Sequence, residues 1–473
     1  MSHHPAEAQT PARIYVLGGG IAGLAAAFRL SRRADHPPVT LVEVGDRLGG
    51  KLRTERIDGF VLDSGPDSLA PGKPHAAALA RELGVDLVET APGGPGAVLV
   101  KGRLRAMPEG IGGFIPRKVA PLATTRLFSP IGKVRMAVET LVPARRGGAD
   151  ESLQSFTNRR LGRQAYQRLV EPVASGIFCG DPARLSLLAT MPHLRMAEQK
   201  HGGLVRAVLA ERRAAAKKPA GPRSGLMSGK DGMAALTEAL VERLVAADNV
   251  EILLGTRVSA LRSDGDRGYQ VTLAPASGTS AQANATAVVL AIPTAAAAEL
   301  LAIVGAAEAA ATLGAMSCAS TVTVSLGYPA SPMPDLDRLL PAHGYLVAEP
   351  GRGPVRSVTR SSAKFPGRAP QGHELFRFAV RAEGERSDAE LVRLCRDELR
   401  ATLGIDADPV LEHVQRWTDV MPQYAVGHLD RVAEVEQQLA AFPRLVLAGS
   451  GAHGLGIPDC VASAERAVAA ISA

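Results

Sequence analysis

The 473 residues of this chain exceed what one hydrophobic core usually serves, and the length predicts two or three domains. Hydrophobic residues make up 46% and charged residues 21%, as in soluble globular proteins, and the four widely separated cysteines exclude a disulfide framework and a metal-ligand spacing. The net charge is +7, and the positive excess is concentrated in one segment.

The amino terminus and the most apolar tract both argue against membrane insertion. Residues 1–11 lack a long apolar stretch, so we expect a flexible tail rather than a signal peptide or an anchor. The most apolar tract, residues 287–304, is interrupted by Pro293 and Glu299, which disfavours a transmembrane helix. With its cysteines interpreted as reduced thiols, the chain is predicted to be cytoplasmic.

A glycine-rich turn follows the first predicted strand. Residues 13–17 predict a buried strand, an amphipathic helix comes next, and residues 39–44 predict a second buried strand, which completes a βαβ unit. The turn matches G-x-G-x-x-G and consists of Gly18, Gly19, Gly20, Ile21, Ala22 and Gly23. In this motif the glycines permit a tight turn, a close approach of a pyrophosphate to the helix N-terminus, and close packing. Glu43, at the end of the second strand, is predicted to bind a ribose hydroxyl, so we favour dinucleotide binding over a merely structural turn.

Two further turns follow this unit. The run Arg47–Thr54 contains adjacent glycines, and its Lys51 and Arg53 can meet phosphate or carboxylate oxygens; the alternative is an ordinary basic turn. The run Asp63–Ser68 joins turn residues whose amides and hydroxyl suit the polar groups of a cofactor.

The middle of the chain is basic and mainly helical by pattern. Residues 101–223 contain 23 Lys or Arg against 8 Asp or Glu, a local balance of +15, whereas the remainder of the chain carries −8. One interpretation of this excess positive charge is a solvated helical surface. The alternatives are an acidic membrane surface or a carboxylate-bearing substrate, and nucleic acid is disfavoured because few aromatic residues accompany the charges.

The remaining elements predict that a dinucleotide-binding fold opens and closes the chain. A helix and several strands follow the Pro/Gly stretch that ends near residue 225, a mixed β region covers residues 317–380, and a strand at Leu445–Gly449 precedes a glycine-rich turn and a final helix. Pro458 and Asp459 suit the first turn of that helix. His453 could serve as a base, but we favour a loop histidine that is hydrogen-bonded to backbone.

These motifs together resemble those of the protoporphyrinogen/coproporphyrinogen oxidase family of the flavin amine oxidase superfamily. The more specific stretches are GPDS (65–68), EPVASGIFCGDPARLSL (171–187), SSAKFPGRAP (361–370), RWTDVMPQYAVGHLDRV (416–432) and GLGIPDC (454–460). The resemblance implies FAD as cofactor and an α/β fold that combines a discontinuous Rossmann-like FAD-binding domain, an inserted mixed-sheet substrate domain and a mainly helical domain. We predict the FAD-binding domain at 12–95, 224–300 and 415–473, the helical domain at 96–223, and the substrate domain at 301–414.

Carried onto this sequence, the family's functional residues fall at matching positions. The implied FAD contacts are Gly18, Gly19, Gly20, Ile21, Ala22, Gly23, Glu43, Val44, Lys51, Gly65, Pro66, Asp67, Ser68, Val258, Trp417, Leu455, Gly456 and Ile457. The implied substrate contacts are Gly176, Gly344, Leu346 and Arg381. Arg381 stands with Ala382 where many members have paired glycines, and the alternatives for it are a partner for a substrate propionate or a side chain that points to water. Arg105, Arg117 and Lys118 are candidates for propionate binding by charge alone, and surface roles are favoured for them.

The implied reaction is the oxidation of a porphyrinogen to a porphyrin in haem biosynthesis, in three two-electron steps with O2 as acceptor and no required side-chain base. Coproporphyrinogen III and protoporphyrinogen IX both stay open as substrates. Peripheral membrane contact through the basic segment and a downstream haem-pathway enzyme are further expected partners. The alternatives are an amine oxidase, a carotenoid desaturase, or a non-catalytic flavin-fold module that binds a haem precursor.

Overall fold

Two seven-stranded sheets organise the protein. The computed structural model describes residues 13–70, 72–93, 96–108, 111–112, 115–116, 120–215, 225–340, 342–348 and 353–472. The predicted tail, residues 1–11, lies outside this set, as do Arg117 and Lys118.

The described strands and helices have the following bounds. The strands are β1 (Arg13–Leu17), β2 (Val39–Val42), β3 (Thr54–Ile57), β4 (Phe60–Asp63), β5 (Leu87–Glu89), β6 (Ala97–Val100), β7 (Arg103–Ala106), β8 (Ile111–Gly112), β9 (Ile115–Pro116), β10 (Met227–Gly229), β11 (Val250–Leu253), β12 (Thr256–Ser263), β13 (Tyr269–Pro275), β14 (Ala281–Leu290), β15 (Cys318–Pro329), β16 (Gly344–Val347), β17 (Val355–Arg360), β18 (His373–Arg381), β19 (Leu411–Pro422) and β20 (Leu445–Leu447). The helices are α1 (Ile21–Ser31), α2 (Pro74–Leu83), α3 (Ala120–Thr124), α4 (Pro130–Ala137), α5 (Leu153–Arg160), α6 (Arg163–Ala165), α7 (Glu171–Phe178), α8 (Leu187–Thr190), α9 (Pro192–His201), α10 (Leu204–Ala215), α11 (Ala235–Val245), α12 (Thr294–Val304), α13 (Ala307–Gly314), α14 (Leu336–Leu339), α15 (Ser361–Lys364), α16 (Asp388–Leu403), α17 (His428–Leu439) and α18 (Ile457–Ser472), with a 3₁₀ turn at Val138–Leu141 that directly continues α4.

The first sheet joins the two ends of the chain. Its parallel part runs β11-β2-β1-β14, and β20 pairs with the last residues of β14. Val16 of β1 lies in register with Leu41 and Val289, and Val289 lies in register with Val446. These strands are apolar runs because helices cover both faces of the sheet. The antiparallel strands β13 and β12 extend the sheet beyond β14.

Helices from distant parts of the sequence cover the first sheet. On one face α1 packs with α2, α11 and α18 in a single apolar cluster. Its alanines 25 to 27 are fully buried, and such small side chains allow close packing of the helix on the sheet. On the other face α12 and α13 pack with residues of α17.

The second sheet is mixed and has the order β19-β15-β18-β17-β16-β6-β7. Helix α16 buries one face, where Phe376, Phe378 and Val380 of β18 are fully enclosed. The alternate residues of β18 project from the opposite face. On that face Arg377 donates hydrogen bonds to the carbonyls of Asp63 and Gly65, which ties this sheet to the two-stranded sheet of β3 and β4.

The region from α4 to α10 forms a helical layer, and its apolar core, which includes Phe156, Tyr166 and Leu169, also takes in Val98 and Val100 of β6. Among the described residues, no helix combines the length and apolarity needed to cross a bilayer. The tract 287–304 divides between strand β14 and helix α12, with Pro293 between them.

The predicted α/β fold class is confirmed, but sheet membership differs from the predicted domain boundaries. Strands β6 and β7 lie within the segment predicted as helical, yet β6 pairs with β16 in the mixed sheet. Helix α13 lies within the predicted substrate domain but packs on the first sheet. Strands β11 and β12 are separated by a turn in which Gly255 adopts a left-handed conformation with φ of +57°.

Candidate functional site

The carboxyl ends of four parallel strands open onto one large cleft. Gly18 follows β1, Glu43 follows β2, Ala291 follows β14 and Ala448 follows β20, and all four line a cavity of about 760 Å³. Ligands of open α/β sheets bind at this edge, at the point where strand order reverses. The cleft therefore lies where the glycine-rich turn predicts a dinucleotide.

The three key glycines of the first turn have distinct steric roles. Gly18 has φ of +104°, and a Cβ atom on it would lie 2.4 Å from the Ala291 carbonyl oxygen. A Cβ atom on Gly23 would lie 1.8 Å from the Gly18 carbonyl oxygen, so only glycine lets α1 start so close to β1. Gly20, the N-cap of α1, has no side-chain cap and lines the cleft, and a Cβ atom on it would lie 4.0 Å from the Gly50 Cα atom.

Glu43 holds this turn in place through both carboxylate oxygens. Oε2 accepts a hydrogen bond from the Gly19 N–H at 2.6 Å, and Oε1 accepts one from the Gly45 N–H at 2.8 Å. Each oxygen retains a further lone pair, and the side chain lines the cleft. Val44 beside it is 68% exposed and also lines the cleft.

The second glycine pair packs directly against the first turn. The Gly49 N–H donates to the Gly19 carbonyl at 2.8 Å, and a Cβ atom on Gly50 would lie 2.9 Å from the Gly20 Cα atom. Lys51 lines the cleft, and its ammonium donates to the Val420 carbonyl of β19. Burial lowers the pKa of Lys51. Arg53 instead pairs with Glu55.

The turn at residues 65–68 lies between the second glycine pair and the mixed sheet. A Cβ atom on Gly65 would lie 1.8 Å from the Lys51 carbonyl oxygen. Asp67 forms an ion pair with Lys364 at 2.7 Å and accepts a hydrogen bond from the Ser68 hydroxyl. Although burial alone would raise the pKa of Asp67, the positive charges of Lys364 and Arg377 hold it well below its usual range. Of this turn, only Pro66 is a lining residue of the cleft.

The chain's only tryptophan contributes to the opposite wall of the cleft. Its indole N–H donates to the Ser64 carbonyl at 2.9 Å, which fixes the Trp417 ring beside the second turn. Val258 lies at an irregularity in the pairing of β12 with β13 and lines another part of the cleft.

The carboxyl-terminal motif closes the cleft at the N-terminus of α18. Leu455 and Ile457 line the cleft, and Asp459 in the first turn accepts a hydrogen bond from the Gly456 N–H at 3.2 Å. Asp459 also pairs with Lys73 at 2.6 Å. The positive end of α18 therefore meets the same space as the N-terminus of α1.

The prediction for His453 was wrong in its hydrogen-bond partner. Its Nε2 atom lies 2.6 Å from the Glu436 carboxylate, not against backbone. Both side chains are substantially exposed, and His453 is not a lining residue of the cleft. This position gives the imidazole no role at the cleft wall.

Most of the predicted cofactor residues converge on the cleft. The lining residues among them are Gly18, Gly20, Ile21, Ala22, Glu43, Val44, Lys51, Pro66, Val258, Trp417, Leu455 and Ile457. The other six, Gly19, Gly23, Gly65, Asp67, Ser68 and Gly456, are not lining residues of the cleft. Sequence reasoning missed Ala291 to Thr294, although their place after a buried strand was the available signal.

The predicted substrate residues lie beside α7 and the mixed sheet. A Cβ atom on Gly176 of α7 would lie 3.6 Å from the Leu346 side chain. Gly344 begins β16, and a Cβ atom there would lie 2.2 Å from the Val358 carbonyl oxygen. Arg381 ends β18 and pairs with the exposed Glu383 at 3.3 Å. Arg105 lies on β7, at the far edge of the sheet.

The cleft residues fit a dinucleotide with a pyrophosphate at its centre. The uncapped N-terminus of α1 offers amides to an anion, and Gly20 leaves the space that an anion needs. The cleft extends from Glu43 and Val258 to Leu455 and Ile457. This fit supports binding of FAD, which would contact residues from both ends of the chain.

Comparisons with known proteins agree with this geometry. Residues 21–472 match the family model described as flavin containing amine oxidoreductase. The chain is 36% identical to a coproporphyrinogen III oxidase of Propionibacterium freudenreichii subsp. freudenreichii, over 96% of this chain and 89% of the relative. It is 32% identical to a coproporphyrinogen III oxidase of Bacillus subtilis (strain 168), over 96% and 97% of the two chains.

Solved structures extend the comparison to three dimensions. A protein from Exiguobacterium sp. 255-15, provisionally described as a protoporphyrinogen oxidase, superposes with a TM-score of 0.83 at 30% identity and covers 98% of this chain and 99% of its own. Cyclohexylamine oxidase from Brevibacterium oxydans IH-35A has a TM-score of 0.68 at 18% identity, over 98% and 99% of the chains, and shows the shared fold alone. The chain therefore belongs to the flavin-containing amine oxidoreductase family and, within it, to the protoporphyrinogen/coproporphyrinogen oxidase family.

Proposed function

We propose that this protein oxidises a porphyrinogen to the porphyrin in haem biosynthesis, with FAD in the cleft and coproporphyrinogen III as the favoured substrate. The observation that carries the proposal is a cleft lined from both ends of the chain, at Gly18 and at Ile457, in a protein 36% identical over 96% of its length to a coproporphyrinogen III oxidase. Protoporphyrinogen IX is the alternative substrate. O2 as acceptor, and a downstream haem-pathway enzyme as recipient of the product, belong to the same proposal.

The chain's own contribution is binding and orientation. FAD, when bound, supplies a two-electron acceptor at its ring. The turn at residues 18–23 would hold the pyrophosphate and Glu43 a ribose hydroxyl, while the N-terminus of α18 would face the polar edge of the ring. Each of three steps removes a hydride and a proton from the substrate. Over the three steps four hydrogens leave the bridging carbons and two leave pyrrole nitrogens, so one of the three protons is lost from a bridging carbon after tautomerisation.

No lining side chain is assigned as the base for these protons. Glu43 accepts hydrogen bonds from two backbone amides, and Lys51 donates to the Val420 carbonyl. Both groups are therefore engaged in holding the cleft, and the solvent can accept the protons. A pH profile of kcat without a steep ionisation between pH 6 and 8 would agree with this assignment.

The test is anaerobic reduction of the FAD-loaded protein by each porphyrinogen. We expect coproporphyrinogen III to bleach the flavin absorbance near neutral pH through one two-electron step. Porphyrin fluorescence should appear only after O2 is admitted, because the remaining two steps need the flavin to be reoxidised. Faster bleaching by protoporphyrinogen IX would make it the substrate instead. Bleaching by an amine or a carotenoid precursor alone, or failure of the protein to take up FAD, would overturn the proposal.

We further propose that the protein docks on anionic membranes through an apolar stripe, defined as Ile131, Val134, Val138 and Leu141. The stripe runs along α4 and the 3₁₀ turn that continues it, and its side chains are 82%, 63%, 39% and 79% exposed. Spacings of three and four residues place them on one side of the helix.

Basic residues accompany the stripe, which favours an anionic lipid surface as its occupant. Arg126 and Arg146, on either side of it in sequence, are exposed, and Arg206 of α10 donates to the Thr140 carbonyl at 3.0 Å. Exposed apolar side chains with adjacent cations are typical of interfacial helices, where burial and attraction to acidic headgroups add.

Vesicle co-sedimentation tests this docking. We expect binding to vesicles that contain phosphatidylserine and much weaker binding to phosphatidylcholine alone. The double variant Ile131→Gln/Leu141→Gln should lose binding, whereas Val245→Gln, at an exposed position on α11, should not. Equal binding of the double variant and the unmodified protein would contradict the assignment.

A further inference from the structure

The cleft wall at Trp417 continues across the mixed sheet to Arg381. Thr321 of β15 lies in register with Trp417 of β19 on one side and with Arg381 of β18 on the other. Residues in one such row project from the same face of a sheet. Trp417 and Arg381 are two strands apart, so their backbones are separated by about 10 Å. A flat ligand that extends from the cleft over this face would therefore reach Arg381.

A β-bulge brings a second arginine beside Arg381. Val355 of β17 pairs with Val380, and Ser357 pairs with Ala379. Arg356 is therefore an extra residue that has no pairing partner on β18. Bulges of this kind redirect a side chain out of the regular alternation. The Arg356 guanidinium points toward α7, where it donates to the Ser175 carbonyl at 3.4 Å.

The two arginines lack strong anionic partners within the described part of the chain. No described carboxylate lies within ion-pair distance of Arg356, and the partner of Arg381 is Glu383, which is 61% exposed. Such exposed pairs contribute little. Burial lowers the pKa of Arg356, and the neighbouring charge of Arg381 adds to this effect.

Glu171 of α7 interacts electrostatically with both arginines. Burial raises the pKa of Glu171, although Arg381 and Arg356 each act in the opposite direction. Asp181 is farther along the chain and also acts on both Glu171 and Arg356. Burial thus raises the free-energy cost of the charged form of Glu171 beside the two guanidinium groups.

We propose that Arg356 and Arg381 form a carboxylate-binding subsite that selects substrates bearing propionate groups at the end remote from the cleft. This inference rests on the proposed porphyrinogen oxidation and names two specificity-determining residues for it. Guanidinium groups bind carboxylates through directed, charge-assisted hydrogen bonds. An anion placed between the two arginines would relieve their mutual repulsion and gain contact with both.

Equilibrium binding of oxidised porphyrins to the FAD-loaded protein tests the subsite. The ligands are coproporphyrin III with four carboxylates, protoporphyrin IX with two, and coproporphyrin tetramethyl ester with none. The variants are Arg356→Gln, Arg381→Gln and the double variant. Arg393→Gln is the matched control, because Arg393 is an exposed residue of α16, which covers the opposite face of the sheet.

We expect each single variant to raise the Kd for coproporphyrin III about tenfold, as for the loss of one charge-assisted hydrogen bond, with a comparable rise in KM and unchanged kcat. The control should bind all ligands as the unmodified protein does, and the ester should be insensitive to every variant. Unchanged coproporphyrin affinity in the double variant, or an equal loss for the ester, would overturn the subsite. If the unmodified protein bound no porphyrin, the proposed function itself would fail.

Discussion

At the scale of single residues, the shape of the cleft depends on glycines, because these residues have no Cβ atom. A Cβ atom on Gly23 would lie 1.8 Å from the Gly18 carbonyl oxygen. A Cβ atom on Gly65 would lie equally close, 1.8 Å, to the Lys51 carbonyl oxygen. Contacts this short force backbone to move, because no flexible side chain can yield. These glycines therefore set the distance between strand, helix and turn on which the cleft depends.

Replacing Gly23 by alanine tests this dependence. We expect Gly23→Ala to destabilise the protein by about 3 kcal/mol and to lower its flavin content after purification, since the entry of α1 must shift. Thermal unfolding and the ratio of flavin to protein absorbance measure both effects. Gly148→Ala is the control, because open space surrounds Gly148; equal behaviour of the two variants would refute the steric argument.

Trp417 offers a direct optical probe of the cleft. Because it is the only tryptophan and lines the cavity, its emission reports on this site alone. We expect addition of FAD to the apoprotein to quench most of the tryptophan fluorescence, and Trp417→Phe to abolish the signal. Emission that stays constant while FAD binds would place the cofactor away from this wall.

At the scale of elements, a charged network joins α5 and α9 of the helical layer. Glu198 accepts hydrogen bonds from Arg159 at 2.6 Å and from Arg195 at 2.7 Å, and both arginines also donate to Glu151 at 2.7 Å. The Glu198 side chain is fully buried. Burial alone would raise the pKa values of Glu151 and Glu198, but hydrogen bonds from Arg159 and nearby positive charge lower them overall.

The lowered pKa values determine the sign of the pH dependence. A carboxyl group whose pKa is lower in the folded protein stabilises it above the unfolded value, here 4.5, and loses that contribution as pH falls through the folded pKa. We expect Glu198→Gln to cost about 3 kcal/mol at pH 7 and the difference in Tm from the unmodified protein to narrow below pH 4.5. Glu211→Gln, an exposed position on α10, should have no such effect at any pH.

At the scale of the whole molecule, the cleft exists only when both ends of the chain meet. Residues 18–23 and 449–457 are separated by more than four hundred positions, yet a Cβ atom on Gly449 would lie 3.7 Å from the Ala22 side chain. A ligand that binds both segments stabilises the folded protein by mass action. At a free ligand concentration one hundred times its Kd, the free energy of unfolding rises by about 2.7 kcal/mol.

Hydrogen exchange tests this coupling within one sample. We expect FAD to slow amide exchange in residues 18–23 and 449–457 together, while α16, on the far side of the mixed sheet, exchanges as before. Protection of only one of the two segments would show that the cofactor contacts one end of the chain and would contradict a shared cleft.

Part of the fold and most of the candidate cofactor site were accessible from sequence because their signals are local. The strand at Arg13–Leu17 agrees residue for residue with β1, since an uninterrupted apolar run bounded by glycine indicates a buried parallel strand. The glycine spacing located the helix N-terminus, and Pro458 with Asp459 located the start of α18. Each of these patterns spans fewer than twenty residues.

The tertiary structure alone decided which distant segments pair. Strand β6 pairs with β16 across almost 250 positions, and no local periodicity names such a partner. The bulge that redirects the Arg356 side chain depends on the register of β17 with β18. The hydrogen-bond partner of His453 depends on how α17 packs beside the carboxyl-terminal turn. Local spacing thus determined a nucleotide-binding turn at one end of the chain and a helix start at the other, whereas long-range packing decided the walls of the cleft and the charges beside it.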